Sequence, residues 1–433
     1  MVTAGLGGAL AVAVAAERPT AHELPRAKSP VDVGMSAERL SRLTAAMKAG
    51  VDKGENPGAV VMIVRRGKVA YLEAFGYRDR EQKAPMRPDA IFRLASMTKP
   101  FTSLAVMMLE EEGKLQITYP ASRYLPEFKD LKVGVEKTDP AGKPELVLEP
   151  ARREMTVQDL LRHTSGLTYG FFGKSLVKQA YNEAKMFDPN QTTAEMVTKL
   201  SKLPLQYQPG TTWDYGMSTD VLVRIVEAVS GTEFDAFVAE RIARPLGLKD
   251  TGFWVEAAKR DRIAEPQNDP ATGKRPSLLD VTKRPNWLSG GGGMVSTAAD
   301  YARLCQMFLN GGQLDGVRLV SRKTVELMTS DHLPPGTQFG AATLPVFGPL
   351  SPTPEMGQGF GLGFAVRTEP GRNPLHGSVG DYFWSGAWGT YFWVDPKEKL
   401  IAILMMQMPL SQRPLILHYR YLMRELVYQA IAD

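Results

Sequence analysis

Leu94-Ala95-Ser96-Met97-Thr98-Lys99-Pro100-Phe101 is the stretch on which the reading of this chain turns. Residues 101–112, Phe-Thr-Ser-Leu-Ala-Val-Met-Met-Leu-Glu-Glu-Glu, form a good helix sequence, and Gly113 is a stop signal. Pro100 suits the first turn, where its missing N–H costs least. Ser96 then falls at or near the N-cap. On a helix, positions i and i+3 share one face, so the Lys99 amine can reach the Ser96 hydroxyl. A free hydroxyl is a poor nucleophile at neutral pH and needs such a neighbour. The positive helix end disfavours a protonated Lys99 and favours a developing alkoxide on Ser96. The pair reads as a nucleophile with part of its activating system. An ordinary capping serine beside a solvated lysine fits the octapeptide, taken alone, equally well. Ser175-Leu176-Val177-Lys178 repeats the spacing without a comparable apolar helix behind it and reads as chance.

At 433 residues the chain is long enough for a large core and for two domains. Its 43% apolar and 23% charged residues are those of an ordinary globular protein. A net charge of +5 is modest over this length, and acidic and basic residues interleave, as in Lys259-Arg260-Asp261-Arg262. No nucleic-acid motif is present, so a nucleic-acid partner is not expected. Cys305 is the single cysteine, which excludes an internal disulfide; its apolar helical surroundings point to packing. The five histidines are scattered, none forms an H-E-x-x-H pair, and no metal or cofactor is expected. Residues 4–16 are small and apolar and end in a signal-peptidase-like Ala-Val-Ala, but lack a positive n-region. They read as a degenerate export signal or a leader, with a cytoplasmic location favoured over a periplasmic or secreted one. The run is too short to span a bilayer, and no later segment looks transmembrane.

Ser36 can cap a helix with the stripe Leu40, Leu43, Met47 and Val51. Residues 59–64 and 68–77 read as a hairpin turned by Arg65-Arg66-Gly67. Near the other end, residues 360–368, 382–384, 389–394 and 400–407 read as strands, and 412–431 as a helix. Residues 156–162, 193–203, 220–229 and 234–242 show helical spacing, and 129–152 looks like an inserted loop or small hairpin. The expected architecture is α+β: an antiparallel sheet closed by both ends of the chain and flanked by helices, with an inserted all-helical domain. The expected boundaries are a leader at 1–34, an α/β domain from 35–96 and 289–433, and a helical domain at 97–288. Ser96 sits at their junction.

A Ser–Lys pair needs a further proton carrier and an oxyanion hole. Tyr215, in Thr212-Trp213-Asp214-Tyr215-Gly216-Met217-Ser218, offers the carrier. Ionising a tyrosine at pH 7 costs about 4 kcal/mol. Either a cationic Lys99 offsets that cost, or Lys99 is neutral and takes the proton with Tyr215 relaying; the spacing leaves both open. Phe383-Trp384-Ser385-Gly386-Ala387-Trp388-Gly389 offers the rest. Small residues at Gly386 and Ala387 allow close backbone approach, and the N–H groups of Ala387 and Ser96 can hold an oxyanion.

In this order, Ser96-x-x-Lys99, Tyr215-x-Met217 and Trp384-Ser385-Gly386 resemble the serine β-lactamase and penicillin-binding-protein superfamily, class C branch. The chain is most similar to the family VIII carboxylesterases. Supporting phrases are Leu161-Arg162-His163-Thr164-Ser165-Gly166-Leu167, Pro245-Leu246-Gly247-Leu248-Lys249-Asp250-Thr251-Gly252-Phe253 and Gly291-Gly292-Gly293-Met294-Val295-Ser296-Thr297. The resemblance spans residues 35–430. It implies a serine β-lactamase-like fold and a cofactor-free hydrolase, with Ser96, Lys99 and Tyr215 catalytic and Ser96 and Ala387 forming the oxyanion hole. It places Trp384, Ser385, Gly386 and Met217 at the substrate. Trp384 stands where β-lactamases usually carry lysine, and Met217 where they carry asparagine. Losing both polar groups removes recognition of a β-lactam or D-Ala-D-Ala end and suggests an apolar pocket for neutral esters.

The expected activity is therefore hydrolysis of short-chain acyl esters, with a small-molecule ester as partner and weak β-lactam hydrolysis as a side reaction. A β-lactamase or D-amino-acid peptidase, an acyltransferase, and a non-catalytic scaffold on the same fold are the alternatives. The absence of a Gly-x-Ser-x-Gly elbow argues against an α/β-hydrolase triad, and His163 reads as structural. Tyr169, Phe171, Trp213 and Trp287 read equally as pocket lining or core.

Overall fold

The computed structural model describes residues 23–433. The expectation of an export signal over 4–16, and most of the leader at 1–34, lies outside the described residues. Helix α1 (Ala37–Asp52) starts as expected at Ser36, whose hydroxyl accepts from Arg39 N.

The central element is an eight-stranded sheet built from the two ends of the chain. Its N-terminal strands are β1 (Gly58–Arg65), β2 (Lys68–Asp79) and β3 (Ala84–Pro85). The C-terminal strands are β4 (Gln358–Phe360), β5 (Ala365–Arg367), β6 (Tyr382–Ser385), β7 (Tyr391–Asp395) and β8 (Leu400–Met406). They lie in the order β4-β5-β6-β7-β8-β1-β2-β3, each neighbouring pair antiparallel. The chain ends meet between β8 and β1, from Ala59 opposite Met406 to Arg65 opposite Leu400. Every residue of β1 and of β8 is buried, as both-face coverage by helices requires. Helix α1 packs on β2 and on the C-terminal helix (Arg413–Tyr428), while the helix Ala298–Leu309, which carries the buried Cys305, packs on β1 and β8.

The run 360–368, expected as one strand, is two. Gly361 and Gly363, the latter at φ +104°, turn the chain between β4 and β5. The inserted segment 129–152 is a hairpin, Lys132–Thr138 against Pro144–Pro150. The helical stretches between 156 and 242 occur near their expected bounds, except that 234–242 is interrupted by a π turn at Ala239–Ala243. Among the described residues, no helix is long and apolar enough to cross a membrane.

Candidate active site

Ser96 does not cap the long helix. It lies in a 3-10 turn, Ala95–Thr98, that feeds α2 (Lys99–Glu111), and the α2 N-cap is Thr98 with no side-chain cap bond. The sequence signals located the junction within a turn, the usual precision for helix ends. The shift matters, because the Ser96 hydroxyl is not committed to capping. Ala95 is held in the left-handed region at φ +47°, a conformation costing roughly 1–2 kcal/mol that surrounding structure must impose. That structure is on every side. Leu94 N donates to Met294 O and Leu94 O accepts from Thr390 Oγ1, both at 2.9 Å. Tyr301 Oη donates to Met97 O at 3.0 Å, and Met294 N donates to Thr98 Oγ1 at 3.1 Å. Between residues 90 and 109, Ser96 alone is not buried. A rigid turn thus presents one hydroxyl to the outside.

Lys99 is 1% exposed. Its Nζ donates to Gly291 O at 2.8 Å and lies 3.4 Å from both Ser96 Oγ and Tyr169 Oη. It also sits 4.5 Å from the centre of the Tyr215 ring. Burial pulls its pKa down to about 7, against the opposing charge of Asp220. A neutral amine is therefore accessible near physiological pH.

Tyr215 follows the short strand Thr212–Trp213, which pairs in parallel with Gln338–Phe339, and precedes the helix Ser218–Ser230. Its hydroxyl accepts the indole N–H of Trp384 at 3.0 Å. Burial pushes its pKa up, while hydrogen bonds from Ser96 and Trp384 oppose that shift. This environment disfavours a phenolate at Tyr215 and a cation at Lys99. The two segments that carry Ser96 with Lys99 and Tyr215 converge.

Met217 is fully buried and helps line a cavity of about 500 Å³ with Tyr169, Tyr181, Met186 and Phe187. Tyr169 thus joins that cavity to the Lys99 amine. Trp384, like Ser96, Lys99 and Tyr215, is not among the residues lining that cavity. It lies behind Tyr215, 2% exposed, because a buried indole N–H needs an acceptor and finds one there. Ser385 is the last residue of β6, opposite Tyr391. Gly386 presses against the Ser96 turn: a Cβ there would come within 2.2 Å of Leu94 O. Ala387 follows in the turn closed by Gly386 N to Thr390 O, and its own N–H has no protein acceptor among the described residues.

Three contributors were not legible as site residues. Asp220 is 1% exposed; its Oδ1 accepts from Ser289 Oγ at 2.6 Å and from Gly291 N at 3.1 Å. Burial raises its pKa, and the Lys99 charge opposes that. In sequence it is an ordinary acidic residue in the first turn of a helix. Gly291 approaches so closely that a Cβ would stand 2.5 Å from Asp220 Oδ2; in the sequence it opened only a supporting phrase, Gly291-Gly292-Gly293-Met294. Tyr169 stood out only as an aromatic of uncertain use. His163 is buried against the Tyr215 ring at 4.8 Å, and burial lowers its pKa well below the usual value. Its Nδ1 has no partner among the described residues. Ser175 caps the helix Leu176–Glu183, and Lys178 reaches the Phe172 carbonyl and Asp214, so that second Ser-x-x-Lys serves packing.

Residues 43–422 match the family described as Beta-lactamase. An uncharacterised protein of Mycobacterium tuberculosis is 36% identical over 370 residues, 84% of this chain and 88% of its own. Esterase EstB of Burkholderia gladioli is 29% identical over 391 residues, 86% of this chain and 91% of EstB. The solved structure of EstCE1, titled a hydrolase with promiscuous acyltransferase activity, matches with a TM-score of 0.73 at 26% identity. It covers 90% of this chain and 99% of EstCE1.

Proposed function

The chain belongs to the Beta-lactamase family, and from that premise we propose that it is a serine carboxylesterase acting on short-chain acyl esters through an acyl-Ser96 intermediate. The observation that carries this reading is the Lys99 amine, buried, held down to about pH 7 and 3.4 Å from the one hydroxyl its turn exposes. EstB and EstCE1 support ester chemistry as the class.

Ser96 Oγ attacks the ester carbonyl while its proton passes to the neutral Lys99 amine. The carbonyl oxygen becomes an oxyanion held by the N–H groups of Ser96 and Ala387, each such donor contributing a few kcal/mol. The bond to the leaving alkoxide breaks, and the proton returns to that oxygen through the Tyr215 phenol. Water then repeats the sequence: its proton goes to the Lys99–Tyr215 pair, its oxygen bonds to the acyl carbon, and Ser96 regains its hydrogen as the acid leaves. Gly291 O and Asp220 hold the amine in place throughout. Apolar Met217 in the cavity wall supports a neutral acyl group in preference to a charged one. The same chemistry implies weak β-lactam hydrolysis.

Transfer of the acyl group to an alcohol is a second reading. Phe171 and Phe187 are exposed and stack about Tyr169, an apolar rim that would favour an organic acceptor over water. Intact mass after mixing with a slow p-nitrophenyl ester tests the first reading. Wild type gains the acyl mass and Ser96→Ala does not; equal labelling or equal turnover of the two removes Ser96 as nucleophile. Adding butanol and assaying for the new ester tests the second.

A further inference from the structure

The turn that presents Ala387 has a charged group behind it. Arg420 lies on the C-terminal helix (Arg413–Tyr428) and is 4% exposed. Its Nη2 donates to Gly386 O at 2.5 Å and to Thr390 O at 3.4 Å. No ion pair involves it among the described residues; the charged or ionisable groups facing it are Arg413, Tyr391 and Tyr421, none of them a carboxylate. Its Nε has no partner.

One helical turn away on the same face, the fold treats a buried arginine differently. Arg424 is paired with the buried carboxylate of Asp381 at 2.9 Å. A guanidinium without a counter-charge is costly to bury. Anchoring a turn needs only a neutral donor, so the retained charge calls for an explanation beyond anchoring. Gly386 O and Ala387 N–H belong to a single conjugated peptide unit. A cationic donor on the oxygen of that unit draws electron density from its nitrogen and strengthens the N–H as a donor.

We propose that Arg420 is a positioning residue of the oxyanion hole: by binding the Gly386 carbonyl it orients and polarises the peptide whose Ala387 N–H receives the oxyanion. This rests on the reading of Ser96 and Ala387 given above. The turn is clamped from both sides, by Arg420 behind and by the Leu94 carbonyl in front, where Gly386 leaves no room for a Cβ. The nucleophile turn and the second oxyanion donor are thereby held in one rigid frame.

The test compares wild type, Arg420→Lys and Arg420→Met on p-nitrophenyl acetate. It also records the carbonyl stretch of acyl-Ser96 by isotope-edited infrared difference spectroscopy with a slow ester. In Arg420→Met, kcat falls about tenfold to hundredfold with KM nearly unchanged, a weakening rather than removal of one oxyanion donor. The acyl carbonyl shifts to higher frequency, because it is less polarised. Arg420→Lys, which keeps the charge, recovers much of both. If Arg420→Met, or Arg420→Gln where the Met variant does not fold, acylates normally and shows the wild-type carbonyl frequency and a kcat within threefold, Arg420 is packing only and the proposal falls. A wild type that forms no acyl-Ser96 instead overturns the esterase reading, and this inference with it.

Discussion

Replacing Trp384 by Phe removes one donor from Tyr215, the proposed proton carrier, while leaving an aromatic ring in place. The indole N–H meets Tyr215 Oη at 3.0 Å between two buried rings. A neutral hydrogen bond of this kind contributes about 0.5–1.5 kcal/mol net. The contact favours the ionised phenol, so its loss makes Tyr215 a poorer proton donor to the leaving alkoxide. At about 1.4 kcal/mol per factor of ten, kcat/KM falls roughly twofold to tenfold. Tyr215→Phe, which removes the carrier itself, costs on the order of 10²–10⁴. The smaller ring also leaves space against Tyr215, Phe347 and Phe360, whose centroids lie 5.2, 5.4 and 5.3 Å from the indole. Unfolding stability drops by about 1–3 kcal/mol. The assay is p-nitrophenyl acetate hydrolysis with urea unfolding for wild type, both single variants and the double variant. Because the indole acts through the phenol, Trp384→Phe costs little further activity once Tyr215 is Phe. An equal fold-loss in both backgrounds would mean that Trp384 works through pocket shape, and the coupling argued here would be wrong.

Lys99 serves as a base only when deprotonated, so kcat/KM rises with pH through about 7, the value to which burial holds it. The Asp220 charge raises that value, so Asp220→Asn moves the rising limb to lower pH; a pH–rate profile whose limb stays put or moves up contradicts the assignment. Gly386→Ala places a methyl group 2.2 Å from Leu94 O and displaces both the nucleophile turn and the Ala387 N–H. Its kcat drops on the order of 10²-fold, the size of losing an oxyanion donor, and wild-type turnover would show that the turn has slack. Asp381→Ala strands the buried guanidinium groups of Arg367 and Arg424, which bind its carboxylate at 3.1 and 2.9 Å. Urea titration should show a loss of about 3–5 kcal/mol; a loss under ~1 kcal/mol would mean that those charges find other partners.

Sequence periodicity alone identified the strands near both ends and the helices between them, because burial of one face leaves a local imprint. It placed residues 59–64, 68–77, 382–384, 389–394 and 400–407 in strands, and it put Ser96 and Lys99 within reach through the i, i+3 relation. Tyr215 and the Gly386-Ala387 turn stood out through the ordered family resemblance, since each phrase alone resembled ordinary packing. The split between β4 and β5 and the 3-10 turn at Ser96 were missed, since both depend on single-residue backbone angles that neighbouring contacts impose.

Tertiary structure alone decided the chemistry of those groups. A lysine pKa near 7 is a consequence of complete burial, to which α2 and the Gly291 loop both contribute from distant parts of the chain. The surroundings of Trp384 were decided the same way: its indole N–H could not be assigned an acceptor until Tyr215, 169 positions earlier, was found beside it. Spacing along the chain fixes which side chains share a helix face; it carries no information on which distant carbonyl, carboxylate or guanidinium will complete their environment.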